Sequence, residues 1–245
     1  FGPPGTGKTH KLLSIVEEAL AKGIDPDQIG YFAYTRRAAT EAITRAVNQF
    51  PQYDKKDFKY FRTLHSLAYM ELGLNDSSLM DDEDYKEMSG LLKAKISNPA
   101  NKYDNYGTGW QDDKFVNIVD LARIKDVSLE HQFCQPSTGH LIGGFQKLRK
   151  IASGLEKYKK QNGFLDFTDM ILEFVKRGMS PKFRLLIIDE AQDLSAIQWN
   201  MVDLLCKNAT HIYIAGDDDQ AIFEWAGADP WRFKQQKGNR IILNQ

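Results

Sequence analysis

The chain has 245 residues, 42% hydrophobic and 27% charged, which supplies apolar material for one sizeable core and a second small one and excludes disorder and collagen-like repeats. With 32 Lys and Arg against 33 Asp and Glu the formal charge is −1, so no global basic field marks a nucleic-acid partner and any such contact is a local groove. Two cysteines, Cys134 and Cys206, make no disulfide framework and suit a reducing compartment, and no apolar run approaches the roughly 18 residues of a membrane span, so a soluble, cytoplasmic protein is expected.

The sequence opens at Phe1 on a glycine-rich loop, Gly2 to Gly7. Leu12, Leu13, Val16, Ala19 and Leu20 then follow helical spacing until Gly23 and Asp25-Pro26. Ile29 to Tyr34 is strand-like, and Ala39, Ala42, Ile43, Ala46 and Val47 share one face of a second helix. Phe61 to Leu74, with Leu64, Leu67, Ala68 and Leu72 in register, predicts a third helix. From about 75 to 165 the character changes: acidic Asp81 to Asp84, a Gly/Asn/Tyr-rich stretch from Asn98 to Trp110, and a basic helical run from Leu141 to Lys160. This stretch reads as a mostly helical insertion into an α/β domain formed by residues 1–74 and 166–245. Phe183 to Ile188 and His211 to Ala215 predict buried parallel strands with acids at their carboxyl ends, and Arg240 to Leu243 a last strand.

Gly2-Pro3-Pro4-Gly5-Thr6-Gly7-Lys8-Thr9 fits G-x-x-x-x-G-K-[ST], in which backbone N–H groups wrap phosphates at a helix N-terminus. Lys8 then reaches the β and γ phosphates, and Thr9 offers a hydroxyl to Mg2+. Asp189 closes a four-residue aliphatic run, where a carboxylate meets that metal, and Glu190 faces the attacking water. ATP and Mg2+ are the cofactors this pattern calls for. Gln220, in Gly216-Asp217-Asp218-Asp219-Gln220 after the next strand, is placed to sense the γ phosphate.

GPPGTGKT, AYTRRAATEAI from Ala33 to Ile43, FRTLHSLA from Phe61 to Ala68, DFTDM from Asp166 to Met170, LLIIDEAQD from Leu185 to Asp193 and IAGDDDQAIFEWAGAD from Ile214 to Asp229 resemble, in order, the ATPase and DNA-contact motifs of the UvrD/Rep-type superfamily 1 helicases. The resemblance implies a RecA-like P-loop motor domain, its parallel sheet flanked by helices, in an ATP-driven translocase moving 3′ to 5′ on single-stranded DNA and working at the junction with duplex. It assigns Arg37 a place near the phosphates or DNA, and Tyr34 and Thr35, Thr63 and His65, and Phe223 and Trp225 to the DNA contacts, the aromatics stacking on bases. Taken singly, Tyr34, Phe223 and Trp225 fit a core better, since most aromatics are buried, and it is the motif context that favours base stacking. Where that family usually has an asparagine and an arginine, this chain has Arg36 and Ala226. The same resemblance implies that the adenine-reading glutamine lies upstream of the loop and that a second motor domain, with the arginines that complete the site, lies downstream of Gln245.

Lys147, Arg149, Lys150, Lys157, Lys159 and Lys160 fit either a duplex contact or a solvated helix face. Two other classes compete with the motor: a nucleotide-gated single-strand-binding module that does not hydrolyse, for which Glu190 has no use, and a P-loop phosphotransferase, for which the DNA-contact motifs have none.

Overall fold

A computed structural model describes residues 7–99, 112–135, 144–217, 224–239 and 241. The chain divides into two compact units, Phe1–Leu72 with Ile171–Gln245, and Gly73–Met170.

The first unit is an α/β sheet. Helix α1, Lys8–Ala21, starts directly after Gly7, whose φ of 79° sets a left-handed turn that a side chain resists. Its buried residues are Leu12, Leu13, Val16, Ala19 and Leu20, the face that the spacing predicts. Strand β1, Ile29–Phe32, is wholly buried. Helix α2, Arg36–Gln49, buries Ala39, Ala42 and Ala46, with Ile43 and Val47 packed beside them. Strand β2 is Phe61–Arg62, followed by α3, Leu64–Glu71. The helix expected from Phe61 therefore begins later: Phe61 and Arg62 pair with Tyr31 and Phe32 of β1 instead, and the Thr63 side chain caps the helix after them.

Strand β3, Phe183–Ile188, is buried except for Arg184, so it lies in the middle of the sheet. Helix α9, Ala196–Cys206, and β4, Ala209–Ile214, follow, and Pro230–Lys234 forms the short helix α10. The sheet order is β2-β1-β3-β4, all parallel, with Tyr31 level with Phe61 and Ile187, and Ile188 level with Ile214. One face carries Ile29, Tyr31, Leu185 and Ile187 against α1, α2 and Phe58. Each such aliphatic side chain contributes about 1.5–3 kcal/mol. Expected as a buried strand, β4 is not one: His211, Ile212 and Tyr213 are exposed, because β4 is the sheet's edge among the described residues. Most of the last predicted strand, 240–243, lies outside the described residues; Ile241 is exposed and not in a strand.

The second unit is helical. It holds α4, Asp82–Leu92, α5, Asp113–Ile124, α6, Leu129–Phe133, and α7, Gly144–Asn162. The division between units falls inside α8, Phe167–Lys176. The core of this unit gathers Tyr85, Met88, Phe115, Val116, Leu148, Ile151 and Leu155. Beside it lies an ionic cluster. The Arg123 guanidinium grips Asp166 with two bonds, 2.7 and 2.9 Å, and also bonds Asp169. Lys159, buried in α7, bonds Asp166 at 2.6 Å and Asp169 at 2.5 Å. The two acids also exchange backbone bonds that cap α8, Asp166 N–H to Asp169 at 3.0 Å and Asp169 N–H to Asp166 at 2.8 Å. Burial alone would raise Asp166, but Arg123 and Lys159 hold its carboxyl well below the usual carboxylate range.

This cluster revises the reading of the basic run. Lys159 is committed to Asp166 and Asp169, and Lys147 bonds Asp112 at 2.5 Å, while Arg149, Lys150, Lys157 and Lys160 are exposed. Among the described residues no helix is long and apolar enough to cross a membrane. Removing one cation from a buried cluster leaves the acids uncompensated, so Arg123→Met is expected to destabilise the second unit by about 3–5 kcal/mol in chemical denaturation. A loss below about 1 kcal/mol would mean that water already screens the acids.

Candidate nucleotide site

All four strands run in parallel, so their carboxyl ends lie along one edge, and backbone bonds carry the ladder past the strand ends. The N–H of Ala33 donates to Arg62 O at 3.1 Å, that of Asp189 to Phe32 O at 2.9 Å, and that of Ala191 to Ala215 O at 2.9 Å. The segments after β1, β2, β3 and β4 are thereby held side by side. Such an edge is where open α/β sheets bind ligands.

Asp189 follows Ile188 into this edge and is 3% exposed. Its Oδ2 accepts the Tyr31 hydroxyl at 2.8 Å and its Oδ1 the Glu190 N–H at 3.0 Å. Burial raises the Asp189 carboxyl, and so does the charge of Glu190; the Tyr31 bond and Lys8 oppose them. The same burial and the neighbouring acid push the Tyr31 phenol far up, so it stays a proton donor to Asp189. Glu190 is half-buried and has a φ of 52°, a left-handed conformation uncommon for a side-chain-bearing residue. This backbone turn separates two adjacent acids into different directions: Asp189 is held by Tyr31, whereas Glu190 Oε2 accepts from the Gln192 amide at 2.9 Å. Local strain of this kind costs about 1–3 kcal/mol and collects at functional sites.

Lys8, first residue of α1, has its Nζ 3.8 Å from Asp217 Oδ2, and both side chains are largely buried. A cation at the head of a helix, next to backbone N–H groups with no intrahelical partner, suits an anionic ligand. Thr9 is half-buried one residue on. Among the described residues no group of three or more His, Cys, Asp or Glu is arranged to hold a metal. A desolvated carboxylate such as Asp189, beside a second acid, has the chemistry that a hard divalent cation takes as one oxygen ligand among waters and phosphate oxygens.

On the other side of the edge, Thr35 and Thr63 have the same local role. Thr35 Oγ1 accepts the Ala38 N–H and Thr63 Oγ1 the Ser66 N–H, each at 3.2 Å, so each threonine caps the helix that follows its strand. Tyr34 is half-buried and Arg37 exposed. His65 is buried enough that its imidazole is pushed down to about 4, which makes it a neutral hydrogen-bonding group at physiological pH. Trp225 is 62% exposed and therefore no core side chain.

The profile of the UvrD/REP helicase N-terminal domain matches residues 1–239. The chain belongs to the UvrD/Rep helicase family. It is 27% identical to a probable DNA helicase II homolog of Mycoplasma pneumoniae over 93% of this chain and 34% of that protein. It is 28% identical to the corresponding homolog of Rickettsia felis, over 92% and 35%, and 26% identical to the ATP-dependent DNA helicase Rep of Escherichia coli, over 98% and 36%. The chain thus spans about a third of the length of these relatives. Its parallel sheet with flanking helices is the RecA-like architecture that the motifs imply.

In this UvrD/Rep chain Gly7, Lys8, Thr9, Asp189 and Glu190 all lie in the first unit, with Tyr34, Thr35, Arg37, Thr63, His65 and Trp225. Gly2, Pro3, Pro4, Gly5, Thr6, Gln220 and Phe223 lie outside the described residues. The sequence reading missed Tyr31 and Gln192. Tyr31 left a signal, as the polar-tipped residue in an otherwise apolar strand; Gln192 left only its place inside LLIIDEAQD. Asp193 was missed as well. Burial and the charge of Glu190 push its carboxyl up to about 6, and its Oδ1 is buried without a hydrogen-bond partner.

An acid with a raised folded pKa keeps its proton longer in the fold than in the unfolded chain, so Asp193 costs stability as pH rises from about 4 through about 6. Asp193→Asn is therefore expected to raise the melting temperature above pH 6, with the gain fading towards pH 4. A gain that is the same at pH 4 and pH 7 would contradict the titration.

Proposed function

We propose that this chain is the first motor domain of an ATP-dependent DNA helicase that translocates 3′ to 5′ along single-stranded DNA. The observation that carries the reading is the juxtaposition, along one sheet edge, of the phosphate-side Lys8 with the differently held acids Asp189 and Glu190. Lys8 binds the β and γ phosphates, Asp189 and Thr9 hold Mg2+, and Glu190 orients the attacking water and takes its proton. When bound, the metal neutralises charge on the phosphates. Gln220 senses the γ phosphate, and residues 75–165 form a subdomain inserted in the motor.

DNA contact is proposed at the same edge. The α2 and α3 N-termini, capped by Thr35 and Thr63, offer backbone N–H groups to phosphates of a single strand, with Arg37 as an exposed cation. Tyr34, Phe223 and Trp225 supply faces for bases, and neutral His65 supplies a hydrogen bond. Backbone donors and flat aromatics read no base sequence, which suits a motor that moves on any strand. The relatives' names, DNA helicase II and Rep, agree with this reading.

Lys8→Ala is expected to abolish ATP binding, and Glu190→Gln to retain binding while losing turnover, measured with a fluorescent ATP analogue and phosphate release. Equal loss of nucleotide affinity in both would overturn the division of roles. Trp225→Ala is expected to weaken single-strand binding by about 1–3 kcal/mol whatever the base sequence. Because Trp225 is exposed, its melting temperature should stay near that of the parent; a large drop would mark it as structural.

A further inference from the structure

One buried side chain joins the end of β3 to the end of β4. Gln192 is 2% exposed. Its Oε1 accepts the Asp217 backbone N–H at 3.0 Å. Its Nε2 donates to Glu190 Oε2 at 2.9 Å and to Asp193 Oδ2 at 3.2 Å. These partners fix which way round the amide sits, since reversing it would turn an oxygen towards two carboxylates and a donor towards an N–H. Gly216 keeps the contact close: a Cβ there would lie 2.5 Å from Gln192 Oε1 and 2.8 Å from Phe233 Cζ. Beyond this bond, the Asp217 carboxylate lies 3.8 Å from Lys8 Nζ. Lys8, Asp217, Gln192 and Glu190 thus form a connected series along the edge.

We propose that Gln192 is a positioning residue that holds the Glu190 carboxylate in its working orientation and ties it to the Gly216–Asp217 segment. Phosphate arriving at Lys8 competes with Asp217 for that lysine. Movement of Asp217 then reaches Glu190 through the two ends of one amide. The inference rests on Glu190 acting on the water, as proposed above. Neither Asp189 nor Tyr31 touches this amide in the bonds described, so the two carboxylates are held by different side chains, Asp189 by Tyr31 and Glu190 by Gln192.

The test uses the full-length protein with Gln192→Met, which keeps the volume and loses all three hydrogen bonds, Gln192→Ala in case methionine is not accommodated, and Glu190→Gln alongside. Turnover is counted per ATP-binding site, titrated with the fluorescent analogue, so that misfolded protein does not contribute. The Gln192 variants are expected to lose about 10- to 100-fold in kcat while KM for ATP stays within about twofold, and to lose part of their stimulation by single-stranded DNA. Parental kcat in Gln192→Met, with Glu190→Gln inactive, would overturn this proposal and leave the role of Glu190 intact. A rise in KM with kcat unchanged would make Gln192 a binding residue, and failure of both variants to fold would make it a structural one; either result overturns the proposal. Undiminished turnover in Glu190→Gln would instead remove the reading on which the inference rests.

Discussion

A carboxylate taken out of water at the end of an apolar strand has to be answered by donors or by a cation, and Asp189 sets that requirement for the first unit. Four buried aliphatic residues, Leu185 to Ile188, deliver it to the sheet edge with 3% exposure. The Tyr31 hydroxyl and the Glu190 N–H answer part of its charge. The remainder, next to the charge of Glu190, is what a divalent cation would answer in the proposed site. Much of the nearby architecture follows. Tyr31 must sit level with Ile187 in the neighbouring parallel strand. Glu190 must turn away through a left-handed backbone, and a further donor, Gln192, must meet it there.

The second unit meets a similar demand differently. Asp166 and Asp169 are answered inside the protein by Arg123 and Lys159, with short, well-directed bonds and reciprocal capping of α8. The cluster holds three acids on two cations, since Arg123 also pairs with Asp120 at 3.2 Å. It fixes geometry more than it adds net stability, because desolvation offsets most of the Coulomb attraction. The DFTDM acids are bonded to Arg123 and Lys159 and cap α8, while the DEAQD acids are left only partly answered.

Much of this was legible in the sequence. The 3.6-residue spacing in α1 and the four-aliphatic run of β3 gave both elements and their buried faces, because apolar periodicity reports burial directly. The acids after β3 were legible from the same run. Phe61 and Arg62 were not legible as a strand, since two residues carry no period and only pairing with β1 makes them β. The exposure of β4 escaped because an edge and a centre strand of a parallel sheet share the same apolar composition. Thr35 and Thr63 were read for DNA contact, and their capping role shows only in the bonds to Ala38 and Ser66. Tyr31 and Gln192 act across 158 and 25 residues of chain, separations that no local pattern encodes.

In the proposed function one sheet edge carries both ends of a motor, phosphate chemistry at Lys8, Asp189 and Glu190 and single-strand contact at Thr35, Thr63 and Trp225. Steady-state ATP turnover by the full-length protein, measured while single-stranded DNA is titrated in, tests it most directly. Slow turnover without DNA and a saturable rise as the strand is added, independent of base sequence, are expected. Turnover that is unchanged at every DNA concentration, in protein shown to bind the strand, would contradict it.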